Sequence, residues 1–150
     1  STIGITTFFV SVAVLLLWFP LKQKPGIGTI LNAILISVIL DLSLIYLPYP
    51  KEFLFQFFQV LIGIFIIGIG SGFYLAANLG PGPRDGLMTG LNKQTNFSIS
   101  FIRTLLELSA VSIGFFLGGK VGIGTLIYAI GIGFSVSLGL FFVGKIYRKN

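Results

Sequence analysis

Five long apolar stretches, separated by short polar breaks, constrain the fold of this chain more than any other feature. They cover residues 2–19, 29–47, 53–79, 98–118 and 122–143. Each approaches or exceeds the roughly 20 helical residues that cross a hydrocarbon core about 30 Å thick. Charged residues make up only 9% of the chain, whereas a soluble domain has about a quarter. The sequence therefore predicts an all-α, polytopic transmembrane bundle with five spans.

The distribution of basic residues predicts how these spans are oriented. If the spans alternate in direction, two basic residues, Lys51 and Lys120, fall on one side of the membrane. Seven fall on the other side: Lys22, Lys24, Arg84, Lys93, Lys145, Arg148 and Lys149. Cytoplasmic loops carry the excess of Lys and Arg. The pattern predicts a multi-pass protein of the bacterial inner membrane with a cytoplasmic C-terminus.

The chain contains no cysteine and no histidine. Disulfides, thiolate or imidazole metal sites and His-based catalytic triads are therefore excluded. We expect no metal site, no cofactor and no enzymatic activity, and we interpret the net charge of +6 as orientation rather than nucleic-acid binding. The expected partners are the lipid bilayer and an unidentified small solute, with a homo-oligomer or a membrane partner subunit left open.

A six-residue block occurs twice, at residues 24–29 and 120–125, an offset of 96. Sliding residues 2–36 along residues 98–132 gives eleven identities, where roughly three or four would arise by chance. The first copy follows one span and the second follows four. Because an odd number of crossings separates them, the copies face opposite sides of the membrane and the repeat is predicted to be inverted.

The repeat predicts a three-plus-three architecture within a single transmembrane domain, residues 1–150. Residues 1–47 would form an incomplete first repeat of two spans, and residues 53–150 a second repeat of three. At the offset of 96, Ser1 corresponds to Phe97, at the end of the loop after the third span. We therefore expect a longer parent protein of roughly 190 residues that supplies the missing N-terminal span and loop.

Several glycine-rich motifs in the second repeat resemble the YczE/YyaS/YitT-like family of bacterial membrane proteins. The motifs are Gly70-Ser71-Gly72, the segment from Leu79 to Leu91, Arg103 with Glu107, Gly118-Gly119, and Gly122-Ile123-Gly124-Thr125. The first repeat carries the resemblance through residues 25–29 and the Asn32 region. The resemblance implies a six-helix protein of the bacterial inner membrane, and it does not specify a function.

Three ionisable residues lie inside predicted spans, where charges are costly and usually face a bundle interior or a watery cavity. Arg103 and Glu107 are four residues apart and share one helical face. They form either a mutual salt bridge or a substrate or proton site. Asp41 either pairs with another helix, with Arg103 as the obvious partner, or stays protonated and carries a proton.

The loop between the third and fourth spans is predicted to contain a short helix that begins at Pro83, a residue suited to the first turn. Free N–H groups beside Arg84 would form a candidate anion site. The alternative is a Gly-Pro-rich turn that simply ends a membrane helix. Asp85 is either part of the same pathway or a charge that is favourable at a helix N-terminus.

The duplicated Gly-Ile-Gly-Thr motif predicts two matched helix starts. Its residues are Gly26, Gly28 and Thr29 in the first copy, and Gly122, Gly124 and Thr125 in the second. Matched, glycine-interrupted segments in the two halves point to the central site of a transporter. The threonines are predicted N-caps, with the exposed N–H groups facing a substrate. The alternative is a pair of tight interhelical turns.

Together these features favour a secondary transporter or exporter of an unidentified small solute. Asp41, Arg103 and Glu107 would supply ion coupling or anion recognition, and Arg84 would lie at the cytoplasmic mouth. Two alternatives remain open. One is a substrate-binding membrane subunit of a larger energised transport complex, and the other is a structural or assembly factor for a membrane complex.

Overall fold

The computed structural model describes residues 2–148, which form α-helices and no β-strand. The helices are α1 (Ile3–Leu16), α2 (Trp18–Leu21), α3 (Ile27–Tyr46), α4 (Phe53–Ala76), α5 (Pro83–Thr95), α6 (Ile99–Phe116) and α7 (Ile123–Arg148). Ser1 and Lys149, both used in the sequence analysis, lie outside the described residues. The prediction of an all-α membrane bundle is confirmed.

Four of the five predicted spans, α3, α4, α6 and α7, are helices long and apolar enough to cross a membrane. The first predicted span is instead divided into α1 and the short α2. Pro20 has no N–H to donate to the carbonyl of Leu16, and its ring clashes with that carbonyl, so the helix is interrupted at Leu17. The 14 residues of α1 rise about 21 Å, less than the hydrocarbon thickness.

The chain divides into two compact units. The first contains residues 2–49 and 78–96, and so holds α1, α2, α3 and α5. The second contains residues 50–77 and 97–148, and so holds α4, α6 and α7. Although α5 lies between α4 and α6 in the sequence, it packs with the first unit. The repeat boundaries given above stay predictions.

In the first unit, α1 packs against α3 through a close backbone approach at Gly4. A Cβ at this position would collide with the carbonyl oxygen of Ser37 and the carboxylate of Asp41. Small residues at such crossings allow close packing, which is a main force joining helices in lipid. α1 and α3 therefore meet at a distance that only glycine permits.

In the second unit, α7 is the central helix, and both α4 and α6 pack against it. The α4 contact is a glycine-lined crossing, where a Cβ at Gly68 would collide with Ser135, and a Cβ at Gly72 would meet the carbonyl group of Gly139. The hydroxyl of Ser135 donates a hydrogen bond of 2.8 Å to the carbonyl of Ile64. These contacts leave α7 with the largest share of buried residues among the four long helices.

Candidate functional site

The loop helix α5 begins at Pro83, as the sequence predicts. Proline occupies the first helical position, and Asp85 lies in the first turn, where a negative charge is favourable. Asp85 and Met88 are buried, whereas Arg84 is exposed. α5 therefore turns the face with Asp85 and Met88 into the first unit, whereas Arg84 stays accessible to its surroundings.

The contact that anchors the start of α5 is made by Trp18. Its indole Nε1 donates a hydrogen bond of 2.9 Å to the carbonyl of Pro83, and the residue is only 2% exposed. The indole ring lies against Gly86, where a Cβ would collide with it. No pattern in the sequence predicts this contact, although Trp18 is the single tryptophan of the chain.

The first Gly-Ile-Gly-Thr motif, residues 26–29, contacts the segment before α5. The N–H of Gly28 donates a hydrogen bond of 2.8 Å to the carbonyl of Leu79. The hydroxyl of Thr29 donates one of 2.7 Å to the carbonyl of Pro81, and Thr29 is 0% exposed. The backbone N–H that the sequence predicts to face a substrate is therefore bonded to the loop.

The predicted N-cap role of Thr29 is wrong. α3 begins at Ile27, so its N-cap is Gly26, and Thr29 is the third helical residue. Gly26 has no side chain to cap the helix, and its N–H instead donates a hydrogen bond of 3.1 Å to the Thr29 hydroxyl. Glycine is required here because a Cβ would collide with the carbonyl of Leu79. α7 begins at Ile123, so Thr125 also lies at the third helical position, and its N-cap prediction is wrong for the same reason.

The second Gly-Ile-Gly-Thr motif, residues 122–125, has different surroundings. A Cβ at Gly122 would meet nothing within 4 Å. One at Gly124 would meet only the Val60 side chain, at 3.6 Å. Thr125 is exposed, unlike its buried counterpart in the first motif. The two motifs thus have the same sequence and each begins a helix, but different residues surround them.

Asp41 lies on α3 and is hydrogen-bonded to the start of α1. Its carboxylate accepts a hydrogen bond of 2.8 Å from the N–H of Gly4 and one of 2.7 Å from the hydroxyl of Thr2. Free N–H groups and the helix dipole make a helix N-terminus favourable for a carboxylate. Asp41 therefore joins α3 to α1 through the N-terminus of that helix.

Arg103 and Glu107 form a salt bridge within α6. The distance between Nη2 of Arg103 and Oε1 of Glu107 is 3.1 Å, and both residues are 5% exposed. Glu107 is the ninth of the 18 residues of α6, at the middle of a candidate span. Of the predicted alternatives, the mutual salt bridge is present, and a substrate or proton role stays a prediction.

The repeat-equivalent positions of this pair in α1 are Thr7 and Ser11, 96 residues earlier. The hydroxyl of Thr7 donates a hydrogen bond of 2.9 Å to the carbonyl of Ile3, and that of Ser11 donates one of 2.9 Å to the carbonyl of Thr7. These hydroxyls are satisfied by their own helix. The charged pair is therefore a feature of the second unit alone.

The candidate residues fall into two groups. Asp41, Arg84 and Asp85 belong to the first unit, and Arg103 and Glu107 belong to the second. Within residues 2–148, no three His, Cys, Asp or Glu side chains lie together as a metal site would require.

An open groove of about 430 Å³ in the first unit lies along the end of α1, α2 and the segment that follows. Its lining is mostly apolar, with Phe19 among the contributors, and it includes Lys22 and Lys24. From the sequence, these lysines are predicted only to orient the spans. A break in an apolar helix at Pro20, followed by two lysines, is the signal that could have indicated the groove.

Comparison with known proteins gives a family and two uncharacterised relatives. Residues 1–140 match a protein family described as a family of unknown function, DUF6198. An uncharacterised protein of Haemophilus influenzae is 42% identical over 146 residues, which are 97% of this chain and 66% of that protein. An uncharacterised membrane protein of Bacillus subtilis, YczE, is 34% identical over 109 residues, which are 73% of this chain and 51% of that protein.

The similarity to YczE confirms the resemblance drawn from the glycine-rich motifs. The chain spans less than two thirds of the length of either relative, at 66% and 51%. No solved structure matches the chain.

Proposed function

The chain belongs to the DUF6198 family of unknown function, and we propose that it is part of a secondary transporter or exporter of a small solute. It is an integral, multi-pass membrane protein. We place it in the bacterial inner membrane with a cytoplasmic C-terminus and assign it no enzymatic role. The observation that carries the proposal is the buried Arg103–Glu107 pair at the middle of α6.

A buried ion pair is poor evidence for stability alone. Removing two charges from water costs several kcal/mol per ion, and well-packed apolar residues of similar volume are often as stable or more stable. In a membrane span, apolar residues are readily accepted, so stability alone explains a buried ion pair even less well there. Ionisable residues at this depth usually mark a substrate, ion or proton pathway. The pair at Arg103 and Glu107 fits that expectation better than it fits a structural one.

The asymmetry of the repeat supports the same proposal. The close contact between Gly4 and Ser37 in the first unit corresponds, 96 residues later, to the contact between Ser100 and Gly133 in the second. A common helix crossing supports the predicted repeat, and we propose that the repeat is inverted, as the predicted alternation of the spans implies. Inverted repeats are typical of secondary transporters, and here the two units differ in their polar residues.

The two side chains supply complementary chemistry. The Arg103 guanidinium binds a carboxylate or phosphate through paired N–H groups, and an anionic solute would take the place of Glu107 in that contact. Glu107, the group that the solute displaces, would then be the candidate proton carrier, because ionisable residues within spans often belong to proton pathways. The exchange of Glu107 for an anionic solute at the Arg103 guanidinium would thereby couple transport of the anion to transport of a proton.

The test uses the purified protein, reconstituted in liposomes that contain a pH-sensitive dye. Labelled organic acids, phosphate esters, amino acids and amines are added outside, and their uptake is measured together with the internal pH. We expect proton-linked uptake of an anionic solute, and its loss in Glu107→Gln and Arg103→Gln. Thr7→Val, at the repeat-equivalent position of Arg103, is the matched control and should keep the flux.

Two results would overturn the proposal. One is an absence of flux across the whole panel, and the other is a flux that Glu107→Gln leaves unchanged. A flux that appears only after a co-purifying ATPase is added would favour a substrate-binding subunit of an energised complex.

A further inference from the structure

The groove beside the break in the first predicted span has an apolar lining that is open to its surroundings. α1 contributes Val12 and Leu16 to this lining, and α2 contributes Phe19. All three side chains are exposed, and Phe19 is 82% exposed. In a membrane protein such side chains contact lipid tails, which are as apolar as leucine. The apolar part of the groove is therefore a surface for hydrocarbon.

The segment that follows α2 adds two cations to the same groove. Lys22 ends α2 in a left-handed conformation, with φ 54°, and its N–H donates a hydrogen bond of 3.2 Å to the carbonyl of Phe19. Lys24 follows two residues later. Both lysines are exposed, and both line the groove. The turn after α2 thus places two ammonium groups beside the apolar lining.

The protein itself does not neutralise these two cations. The chain has four acidic residues, of which Asp41 is bonded to the start of α1 and Glu107 to a cation of its own helix. Among residues 2–148, no ion pair joins Lys22 or Lys24 to a carboxylate. An anion that balances the two lysines must therefore come from outside the described chain.

The position of the lysines in the chain matches the level of lipid headgroups. They lie after the apolar helices α1 and α2 and before α3, a candidate span that begins at Ile27. A polar segment between apolar helices lies at the membrane surface, and long basic side chains at helix ends extend towards that surface. The phosphates of the bilayer lie at the same level.

We propose that the groove binds one anionic phospholipid, with its phosphate on Lys22 and Lys24 and an acyl chain along the apolar lining. A small soluble anion would contact the lysines and leave the apolar lining unused. A zwitterionic lipid would contact the lining without neutralising the lysines. Basic pockets at the membrane surface of such proteins bind anionic headgroups. The proposal goes beyond transport and holds whether or not the protein moves a solute.

The headgroup determines the selectivity of this site. Every phospholipid of the bilayer offers acyl chains of the same chemistry, so contact with the apolar lining does not distinguish one lipid class from another. A lysine near an anionic membrane surface contributes a favourable electrostatic interaction. Two lipids with identical acyl chains and different headgroup charge should therefore bind with different affinities.

Native mass spectrometry of the purified protein in detergent micelles tests the proposal. The protein is titrated with an equimolar mixture of phosphatidylglycerol and phosphatidylcholine that carry identical acyl chains, and the lipids retained by each molecule are counted. We expect one phosphatidylglycerol to be retained preferentially. In Lys22→Gln/Lys24→Gln its affinity should fall about 30-fold, the ratio that ~2 kcal/mol produces, while that of phosphatidylcholine is unchanged.

The matched control is Lys145→Gln/Arg148→Gln, which removes the same charge from the end of α7 and should keep the preference. Equal retention of the two lipids by the unmodified protein would overturn the proposal. So would a preference that the Lys22→Gln/Lys24→Gln variant retains. Displacement of the lipid by an excess of glycerol phosphate would overturn it in favour of a soluble anion, and a lipid-free dimer would overturn it in favour of a second copy of the chain.

Filling the apolar lining gives a second, independent readout. Val12→Trp adds bulk within the groove, whereas Val10→Trp changes an exposed valine of the same helix that does not line it. The first variant should lose the retained phosphatidylglycerol, and the second should keep it. Both are apolar replacements at exposed positions, and size-exclusion chromatography checks that both remain folded. Full retention in a folded Val12→Trp variant would also overturn the proposal.

Discussion

The α1–α3 pair of the first unit and the α6–α7 pair of the second cross at the same repeat position, with the glycine on opposite helices. In the first pair Gly4 of α1 meets Ser37 of α3, and in the second Ser100 of α6 meets Gly133 of α7. A close approach needs a missing side chain on only one of the two helices. What the two units share is therefore the distance between backbones, rather than the residue that permits it.

The polar groups of the two pairs differ much more than their crossing. α3 carries Asp41 where α7 carries Ser137, and α6 carries Arg103 and Glu107 where α1 carries hydroxyls. A hydroxyl can be satisfied by a carbonyl one turn earlier in its own helix, whereas a buried carboxylate or guanidinium needs a partner. The comparison teaches that packing is common to the two units and that charge is specific to each.

The largest effect is expected from breaking the ion pair of the second unit. Arg103→Met leaves Glu107 buried without its cation and should lower the free energy of unfolding by ~3–5 kcal/mol. The double variant Arg103→Met/Glu107→Leu should regain most of that loss and still lack transport. SDS titration in detergent micelles measures the stability, and liposome flux measures the activity. A double variant that transports normally would make the pair purely structural.

Filling the shared helix crossing should give the next largest effect, and a similar one in both units. Gly4→Ala and Gly133→Ala each place a Cβ against a backbone carbonyl, of Ser37 and Ser100 respectively, and should each cost ~1–3 kcal/mol. Gly63→Ala, which faces nothing within 4 Å, is the control and should change stability by less than about 1 kcal/mol. Tolerance of Ala at one crossing but not at the other would contradict the common geometry.

Removing the carboxylate of the first unit should have a smaller effect. Asp41→Ala leaves the N–H of Gly4 without its acceptor and should cost about 0.5–2 kcal/mol, the range found for lost helix caps. Asp41→Asn keeps a carbonyl acceptor and should cost less. Ser137→Ala, at the repeat-equivalent position, is the matched control. Thermal unfolding in detergent orders the three variants, and an Asp41→Ala variant as stable as Ser137→Ala would contradict the capping role.

The smallest effect is expected at the hydroxyls of α1. Thr7→Val and Ser11→Ala remove bonds that close within one helix, so the free energy of unfolding should change by no more than about 0.5 kcal/mol. A loss comparable with that of Arg103→Met would mean that these positions contact more than their own helix. The same SDS titration measures the free energy of unfolding of both variants and distinguishes these two outcomes.

Features encoded by neighbouring residues could be predicted from the sequence. The long apolar runs predicted α3, α4, α6 and α7, and Pro83 after Gly82 predicted the start of α5. The break near Leu17 was also accessible in principle. The sequence predicts a span over residues 2–19 that ends just before Pro20, whereas a proline disturbs the helix at the carbonyl four residues earlier.

Contacts between distant residues could not be predicted in the same way. The Thr29–Pro81 bond joins residues 52 apart, and the Trp18–Pro83 bond joins residues 65 apart. No local pattern identifies which backbone carbonyl a threonine or an indole will meet. The position of Thr29 as the third residue of α3 could not be predicted for the same reason. Glycine is required at the N-cap, Gly26, because the carbonyl of Leu79 approaches it closely, and the residues of α3 do not encode that contact.

The burial of Trp18 against Gly86 gives the molecule an intrinsic optical probe. Because the chain has one tryptophan, all of the indole fluorescence comes from the point where α5 meets α2. A ring that is 2% exposed and bonded to the carbonyl of Pro83 emits at shorter wavelength than one in water. The emission maximum therefore reports, in unlabelled protein, whether the loop helix is docked, and any ligand or lipid that displaces α5 would be read directly as a red shift.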